Sequence, residues 1–547
     1  MPRSELPSLV LSVALALAVL RFLDKKRGLA AAPPVRLTPL AWAVGAFLFA
    51  AGVALRLFRL TDLPAALHND EMSCGLAARE FLTATPPSLF DTGWYHTPRL
   101  SFFLTSLALR AFGDDLFGLR MSSVLLGSAA LLGGAWLAGR LFGRTAGILT
   151  LVLSAAYHWH LHLSRTGFHY VQATALAVLT LATFQAATTS RRLVMFGLAG
   201  LLTGIGLQTY PAYRLVPVGL ALWGLFLLLS RPSARRELLA GALAFAAVAG
   251  LVLAPLLAFY GVVPELANYR ARQVVVFGDE AIDHVLGVVR HREGAETAGA
   301  VVRYQVRRAF GFFTAGRDAS LQYGYAGPFV PPVLWVPFAA GLVLAARSRE
   351  GPGGFVLVAL TILAVLTGGV LTIDPPFSPR LSVIAGLLPV FSALALARLW
   401  DAGRGRLRLA ARAATLLVVA AAAAQGVRDT FVTGPAAGRG IRRDAIVRLL
   451  ERHREVGVVV NHTDAPEQFG HESYEFMAPG VVGIDTDCDP ARLADALRGA
   501  RELRRGVLLL SRPPDPDAAR ARDGWPAGED GVISGPPGGA TAWSVLR

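Results

Sequence analysis

"RLSFFLTSLALRAFG", residues 99–113, decides how this chain is threaded. The stretch is short, apolar over most of its length, and carries Arg99 and Arg110 near its two ends. That pattern fits a helix lying in a membrane interface rather than one crossing the bilayer. Counted as a crossing, it would move three later arginine clusters to the opposite side. Left out, it gives a consistent map. Apolar segments of roughly 16 to 25 residues, the length a bilayer core requires, run over 5–23, 38–58, 119–138, 145–162, 168–189, 194–209, 213–230, 238–260, 330–347, 354–373, 380–399 and 410–427. Alternate connections hold the basic clusters Arg21–Arg36, Arg140/Arg144, Arg191/Arg192, Arg231–Arg236, Arg347/Arg349 and Arg404–Arg412. By the positive-inside rule these face the cytoplasm.

Composition agrees. Hydrophobic residues make up 54% of the 547 and charged residues 17%, with a mean hydropathy of +0.48, which marks an integral membrane protein. The net charge of +15 does not indicate nucleic acid, because the basic residues are distributed between apolar segments. Lys25 and Lys26 are the only lysines; every other fixed positive side chain is arginine. Cys74 and Cys488 give no disulfide framework and no metal spacing. The first apolar run has its positive charge after it and no small-residue cleavage site, so it is expected to be a retained helix.

Three regions follow: 1–37, an extra membrane helix with a basic cytoplasmic linker; 38–427, the membrane domain with outer loops 59–118 and 261–329; and 428–547. In the last region "VGVVV" (456–460), "VVGID" (481–485) and "GVLLL" (506–510) read as strands and "ARLADALRGA" (491–500) as an amphipathic helix. The expected fold is therefore mainly α, a polytopic membrane protein of about twelve transmembrane helices with a small C-terminal α/β domain on the extracytoplasmic face.

Asp70 and Glu71 open the first outer loop in "DEMSCGLAAREFL" (70–82), which has helical periodicity. Neighbouring helical residues point about 100° apart, so the two carboxylates serve different targets. One can reach a substrate proton as a general base while the other holds neighbouring donors. The alternative is an ordinary acidic helix start, favoured by the helix dipole.

The acid pair, followed by "YHTPRLSFFLTSLALRAFG" (95–113), "DDLFGLRMSSVLLGSAALLGGAWLAGRLFG" (114–143), "HLSRTGFHYVQATAL" (162–176), "GLQTYPAYRLVPV" (206–218), "GRDASLQYGYAGPFVPP" (316–332) and "DPPFSPRLSVIAGLLP" (374–389), resembles the protein O-mannosyltransferase and aminoarabinose-transferase superfamily. These are polytopic glycosyltransferases of the GT-C fold (glycosyltransferase family 39 among them) that use polyprenyl-phosphate sugars. The likeness covers roughly residues 38–400 and departs from the family at His96-Thr97-Pro98-Arg99, where "HPPL" is usual. It implies a membrane glycosyltransferase with Asp70 as the acceptor-activating residue. Its partners would be a polyprenyl-phosphate sugar, membrane lipid and an acceptor that is a protein, glycolipid or polysaccharide. The expected location is the plasma membrane, bacterial inner membrane in type, with the active site outside.

Arg56, Arg59, Arg120, Arg165, Arg214 and Arg380 fall at the outer ends of helices, where charge is costly unless paired. A donor phosphate would pair them, since the planar guanidinium makes bidentate bonds to phosphate oxygens. Arg165, Arg214, Arg380 and Arg120 are the phosphate candidates; snorkelling to headgroups is the alternative. His96, His169, Tyr210 and Tyr213 are expected to contact substrate, with Glu71 beside Asp70 in the catalytic pair. His158 and His162 share a helix face, but no third metal ligand follows from the sequence. No Asp-rich metal motif is present, so no cofactor is assumed, and a divalent metal is not indicated. A lipid-linked sugar transporter or flippase is the rival; it would want paired broken helices and charges at mid-bilayer. A catalytically silent scaffold is the third reading. The enzyme reading requires Asp70, Arg165 and Arg380 around one outward cavity.

Overall fold

The structure, a computed structural model, describes residues 2–28, 38–278, 281–294, 297–318, 327–348, 351–434, 442–464, 467–503, 505–512, 515–522, 525–526, 528–533 and 541–547. Arg36, the boundary at 37/38, Arg349, the middle of the 316–332 motif and parts of the Pro/Gly-rich 513–540 stretch lie outside the described residues.

Eight helices among these are long and apolar enough to cross a bilayer. They include α1 (Pro2–Lys26), α2 (Pro39–Leu57), α5 (Leu116–Phe142), α8 (Tyr170–Ser190), α10 (Leu215–Ser230) and α11 (Arg235–Val262). The pair Ser378–Ala385 and Leu388–Trp400, bent by 41°, gives a ninth. Expected crossings at 145–162, 194–209 and 330–347 are met by shorter apolar helices, α6 (Arg144–Ala156), α9 (Leu193–Gly206) and Trp335–Ala346. Helix length alone therefore gives eight or nine crossings rather than twelve. The 145–162 segment is not one helix: Tyr157 turns to extended backbone, and the chain resumes helically as α7 (His158–Leu163). The 99–113 stretch forms α4 (Leu100–Phe112), buried along one face and showing Leu107, Arg110 and Phe112 on the other.

Without a strong hydrophobic drive between helices in lipid, close backbone approach holds such bundles together. Gly200 of α9 shows it: a Cβ there would sit 2.3 Å from the Phe245 carbonyl oxygen of α11. At one end of the bundle the buried Asp24 carboxylate accepts from the backbone N–H of Leu193 (2.8 Å) and Val194 (3.0 Å), closing the α9 N-terminus, and Arg191 pairs with Glu237 at 2.8 Å. Three connections that the sequence map puts on one side thus lie together.

The C-terminal segment forms one sheet of order β2-β1-β3-β5-β4, built of β1 (Val456–His462), β2 (Val482–Asp485), β3 (Gly506–Ser511), β4 (Asp530–Ile533) and β5 (Thr541–Leu546). The β2-β1-β3 part is parallel; β5 runs antiparallel to β3, and β4 to β5. Strand alternation divides its side chains. Val458, Val460, Val507 and Leu509 pack under the helix Pro490–Glu502. Val459, Leu508, Leu510 and Val545 share a core with the helix Arg442–Arg452 and with α3 (Asn69–Arg79), the helix that opens on the acid pair. The sheet and the first outer loop are built on common apolar contacts.

Candidate functional site

α3 begins because His68 caps it: the imidazole Nδ1 accepts from Asp70 N–H at 2.9 Å. Asp70 and Glu71 then diverge as helical geometry requires. Asp70 turns to a cavity of about 370 Å³. Burial pushes its carboxyl up to about 6, with Arg270 opposing the rise and Glu472 adding to it.

The cavity wall gathers groups from six regions of sequence: Asp70; Trp94, Tyr95 and His96; His169 and Tyr170; Tyr210 and Arg214; Arg270; and Phe377 and Arg380. One carboxylate faces three arginines. Arg380 donates to the Ile373 carbonyl and lies 4.4 Å over the Phe377 ring. Arg270 lies 4.8 Å over the Tyr95 ring and donates to Gln273 Oε1 at 3.1 Å. Arg214 is exposed and donates to the Ala267 carbonyl at 3.0 Å. The His96 ring sits 4.3 Å from that of Tyr269, and both Tyr95 and His96 have left-handed backbone (φ 49° and 54°). The departure from "HPPL" therefore falls in a tight turn that aims aromatic side chains at the cavity. His169 lies against Tyr210, ring centroids 5.2 Å apart. Its Nδ1 is 3.1 Å from Cys74 Sγ, and its Nε2 is buried with no hydrogen-bonding partner among the described residues.

The other expected site residues lie elsewhere. Glu71 is buried away from the cavity. Its carboxylate accepts from Arg120 Nε (2.8 Å) and Nη2 (3.1 Å) and from Gly167 N–H (2.6 Å), while Arg120 Nη1 reaches the Leu60 carbonyl at 2.9 Å. Arg165 is not in the cavity wall either. Its guanidinium takes the carbonyls of Leu55 and Arg56 (both 2.7 Å), Phe58 (2.6 Å) and Leu63 (3.0 Å). Leu55 and Arg56 supply open carbonyls at the C-terminus of α2, where a cation is favoured, and Phe58 and Leu63 belong to the cap and turn that follow. Buried Arg56 meets the carbonyl of Gly52 at 2.8 Å and His160 Nδ1 at 2.6 Å. Tyr213 is a core residue whose hydroxyl meets Thr180 Oγ1 at 2.7 Å. His158 Nε2 lies 3.1 Å from the Pro328 carbonyl. Protein partners thus account for all three arginines without a ligand: Glu71 and the turn after α2 for Arg120, carbonyls at and beyond the α2 end for Arg165, and Gly52 with His160 for Arg56.

Sequence reasoning missed Arg270, which sits in "NYRARQV" (268–274) within a loop rich in arginine. Nothing in one sequence separates it from its neighbours. The aromatic cluster of Trp94 and Tyr95, next to His96, was the available signal.

The C-terminal region holds this site from outside. Asp444 accepts from Leu67 N–H at 2.9 Å, and Arg448 donates to the carbonyls of Thr61 (2.7 Å) and Ala65 (3.0 Å). Phe476 lies flat on α3 at Gly75, where a Cβ would come within 2.5 Å of its ring. Arg79 donates to the Phe476 carbonyl at 3.0 Å.

Residues 96–259 match the family described as dolichyl-phosphate-mannose-protein mannosyltransferase. No curated protein matches the chain in sequence. Among solved structures, the archaeal oligosaccharyltransferase AglB of Archaeoglobus fulgidus, in complex with an inhibitory peptide and a dolichol-phosphate, superposes with a TM-score of 0.52 at 15% identity, over 92% of this chain and 74% of that one. ArnT of Cupriavidus metallidurans in the apo state gives 0.52 at 12% identity, over 92% and 97%. AglB in complex with zinc and sulfate gives 0.50 at 16%, over 92% and 73%. The fold is shared, and the resemblance read from the sequence holds: the chain is an integral membrane protein of GT-C architecture, the fold of glycosyltransferases that draw on lipid-linked sugars.

Proposed function

We propose that this protein transfers a sugar from a polyprenyl-phosphate donor to an acceptor hydroxyl on the extracytoplasmic face, with Asp70 as general base. The observation that carries the reading is the meeting of one half-desolvated carboxylate with three arginines in a single aromatic-lined cavity. Among the compared structures, the AglB complex holds a dolichol-phosphate, a lipid phosphate of the class proposed here.

In this mechanism Arg270 and Arg380, with Arg214 at the rim, hold the donor phosphate. Asp70 takes the acceptor proton as the acceptor oxygen attacks the anomeric carbon. The bond from that carbon to the phosphate oxygen breaks on the opposite face, so the carbon inverts and polyprenyl phosphate leaves with its added negative charge. Fixed cations aimed at that charge lower the barrier. A base near 6 is ionised at neutral pH yet still basic enough to accept a proton in the transition state. Trp94, Tyr95 and Tyr210 offer faces to the sugar ring, and His169 Nε2 offers a hydrogen bond to one of its hydroxyls. Glu71, Arg120 and Arg165 act on the scaffold, fixing where α2 ends and α3 begins.

The test is transfer in proteoliposomes supplied with a labelled polyprenyl-phosphate sugar and cell-envelope acceptor. Asp70→Asn should release polyprenyl phosphate about 10²- to 10⁴-fold more slowly, the range for a lost general base. Undiminished release by that variant removes Asp70 from the role.

A further inference from the structure

The C-terminal sheet carries a second group of ligand-forming side chains outside the cavity. β1 and β3 are parallel neighbours, paired at their ends through His462 and Ser511. The chain leaves β1 toward β2 on one side and returns to β3 on the other. Connections diverge at such a point and open a crevice at the carboxyl ends of the strands, where open α/β sheets bind ligands. His462 stands at that edge on β1, and Asp515 and Asp517 follow β3. One ligand atom from each lies within 4.8 Å of the other two.

Thr486 and Asn461 offer the imidazole a ligating tautomer. With the Thr486 hydroxyl donating to the Asn461 carbonyl (3.2 Å), its oxygen accepts from His462 Nδ1–H (2.6 Å). In that tautomer Nε2 presents its lone pair, in a side chain that is only 3% exposed. Asp515 Oδ2 lies 4.0 Å from it. Two electron-rich atoms face each other, and a proton between them would not close the gap, because a hydrogen bond needs about 2.7–3.2 Å. Two ligands each about 2.1 Å from one tetrahedral ion lie roughly 3.4 Å apart, so the pair would draw in by about half an ångström around a cation. The Asp515 carboxylate is already oriented: its Oδ1 accepts from the N–H of Asp517 (3.0 Å) and Ala518 (2.9 Å). Asp517 also meets Arg520 at 2.5 Å, an exposed contact that a cation would have to share or displace.

We infer that His462, Asp515 and Asp517 form a divalent-cation site, with zinc the cation its ligands favour. Imidazole nitrogen selects zinc and its first-row neighbours over calcium and magnesium, which prefer oxygen alone. Thr486 holds the imidazole from behind, as outer-shell partners of metal-bound histidines do. Three protein ligands leave a fourth position for water or an anionic group.

The test uses full-length protein in detergent, stripped by chelator and titrated with zinc chloride against a fluorescent zinc indicator. Wild type should bind one zinc that excess calcium does not displace. His462→Ala should lose it, Thr486→Val should weaken it roughly ten- to hundredfold, and Asp517→Asn, at a half-buried side chain, should weaken it without loss of fold. Asp70→Asn should bind as wild type does, which separates this site from any metal in the transfer cavity and makes the readout independent of transferase activity. No zinc bound by wild type, or equal affinity in the His462 and Asp517 variants, overturns the inference.

Discussion

Adjacent carboxylates, one on each side of a helix turn, end in opposite circumstances. Glu71 is fully buried and doubly bonded to Arg120, so removing either partner strands the other charge. Glu71→Gln or Arg120→Met should destabilise the protein by about 3–5 kcal/mol, read as a large fall in Tm in detergent. Asp70 instead lines the cavity, half-buried, and its carboxyl is raised to about 6 from 3.8. A raised acid favours the folded state below its unfolded value, and that contribution is lost as pH rises through about 6. At neutral pH the ionised Asp70 thus costs on the order of 2–3 kcal/mol of stability. Asp70→Asn should therefore lose turnover while its Tm at pH 7.5 holds or rises; a fall of many degrees would mean the carboxylate is structural. Transfer by wild type should climb with pH around 6 and then level, and a rate independent of pH between 5 and 7 would contradict the assigned base. The sequence made both acids visible and their divergence predictable from helical geometry. It could not say which faced inward, because that depends on Arg120, 49 positions away along the chain.

At the scale of elements, the feature that matters is the docking of the C-terminal region on α3 and the loop before it. Phe476 buries against Gly75, and Arg448 and Asp444 bind the backbone of residues 61–67. Full burial of such an aromatic is worth about 1.5–3 kcal/mol, enough to fix where Asp70 sits. Arg448→Ala and Phe476→Ala should lower kcat several-fold with less effect on donor affinity, measured by steady-state transfer at varied donor; a pure loss of donor affinity would argue against positioning. Three strands and their helix were legible because period-two and helical patterns are local. β4 and β5 were not, since they lie around a Gly/Pro-rich stretch, and the docking surface was not, since it joins residues hundreds of positions apart. For the same reason the outer arginines misled. Sequence places Arg165 at a helix end, but only the fold shows five carbonyls from the end of α2 and the turn after it converging on it, while Arg270 passes unnoticed in a loop.

For the whole molecule, transfer from a lipid-linked donor as proposed puts cavity and C-terminal sheet on the outer side of the membrane. The chain supplies its own reporter: Cys488 is exposed on the sheet domain and Cys74 is buried. A membrane-impermeant maleimide applied to intact spheroplasts should label wild type and not Cys488→Ser; labelling only after permeabilisation would reverse the orientation. The central claim, that the arginines around Asp70 hold a lipid phosphate, is tested most directly by native mass spectrometry of the protein with added polyprenyl phosphate. Wild type and Arg59→Gln, altered outside the cavity, should each retain one lipid, and Arg270→Gln/Arg380→Gln should lose it. Retention of the lipid with unchanged affinity by that double variant would contradict the account.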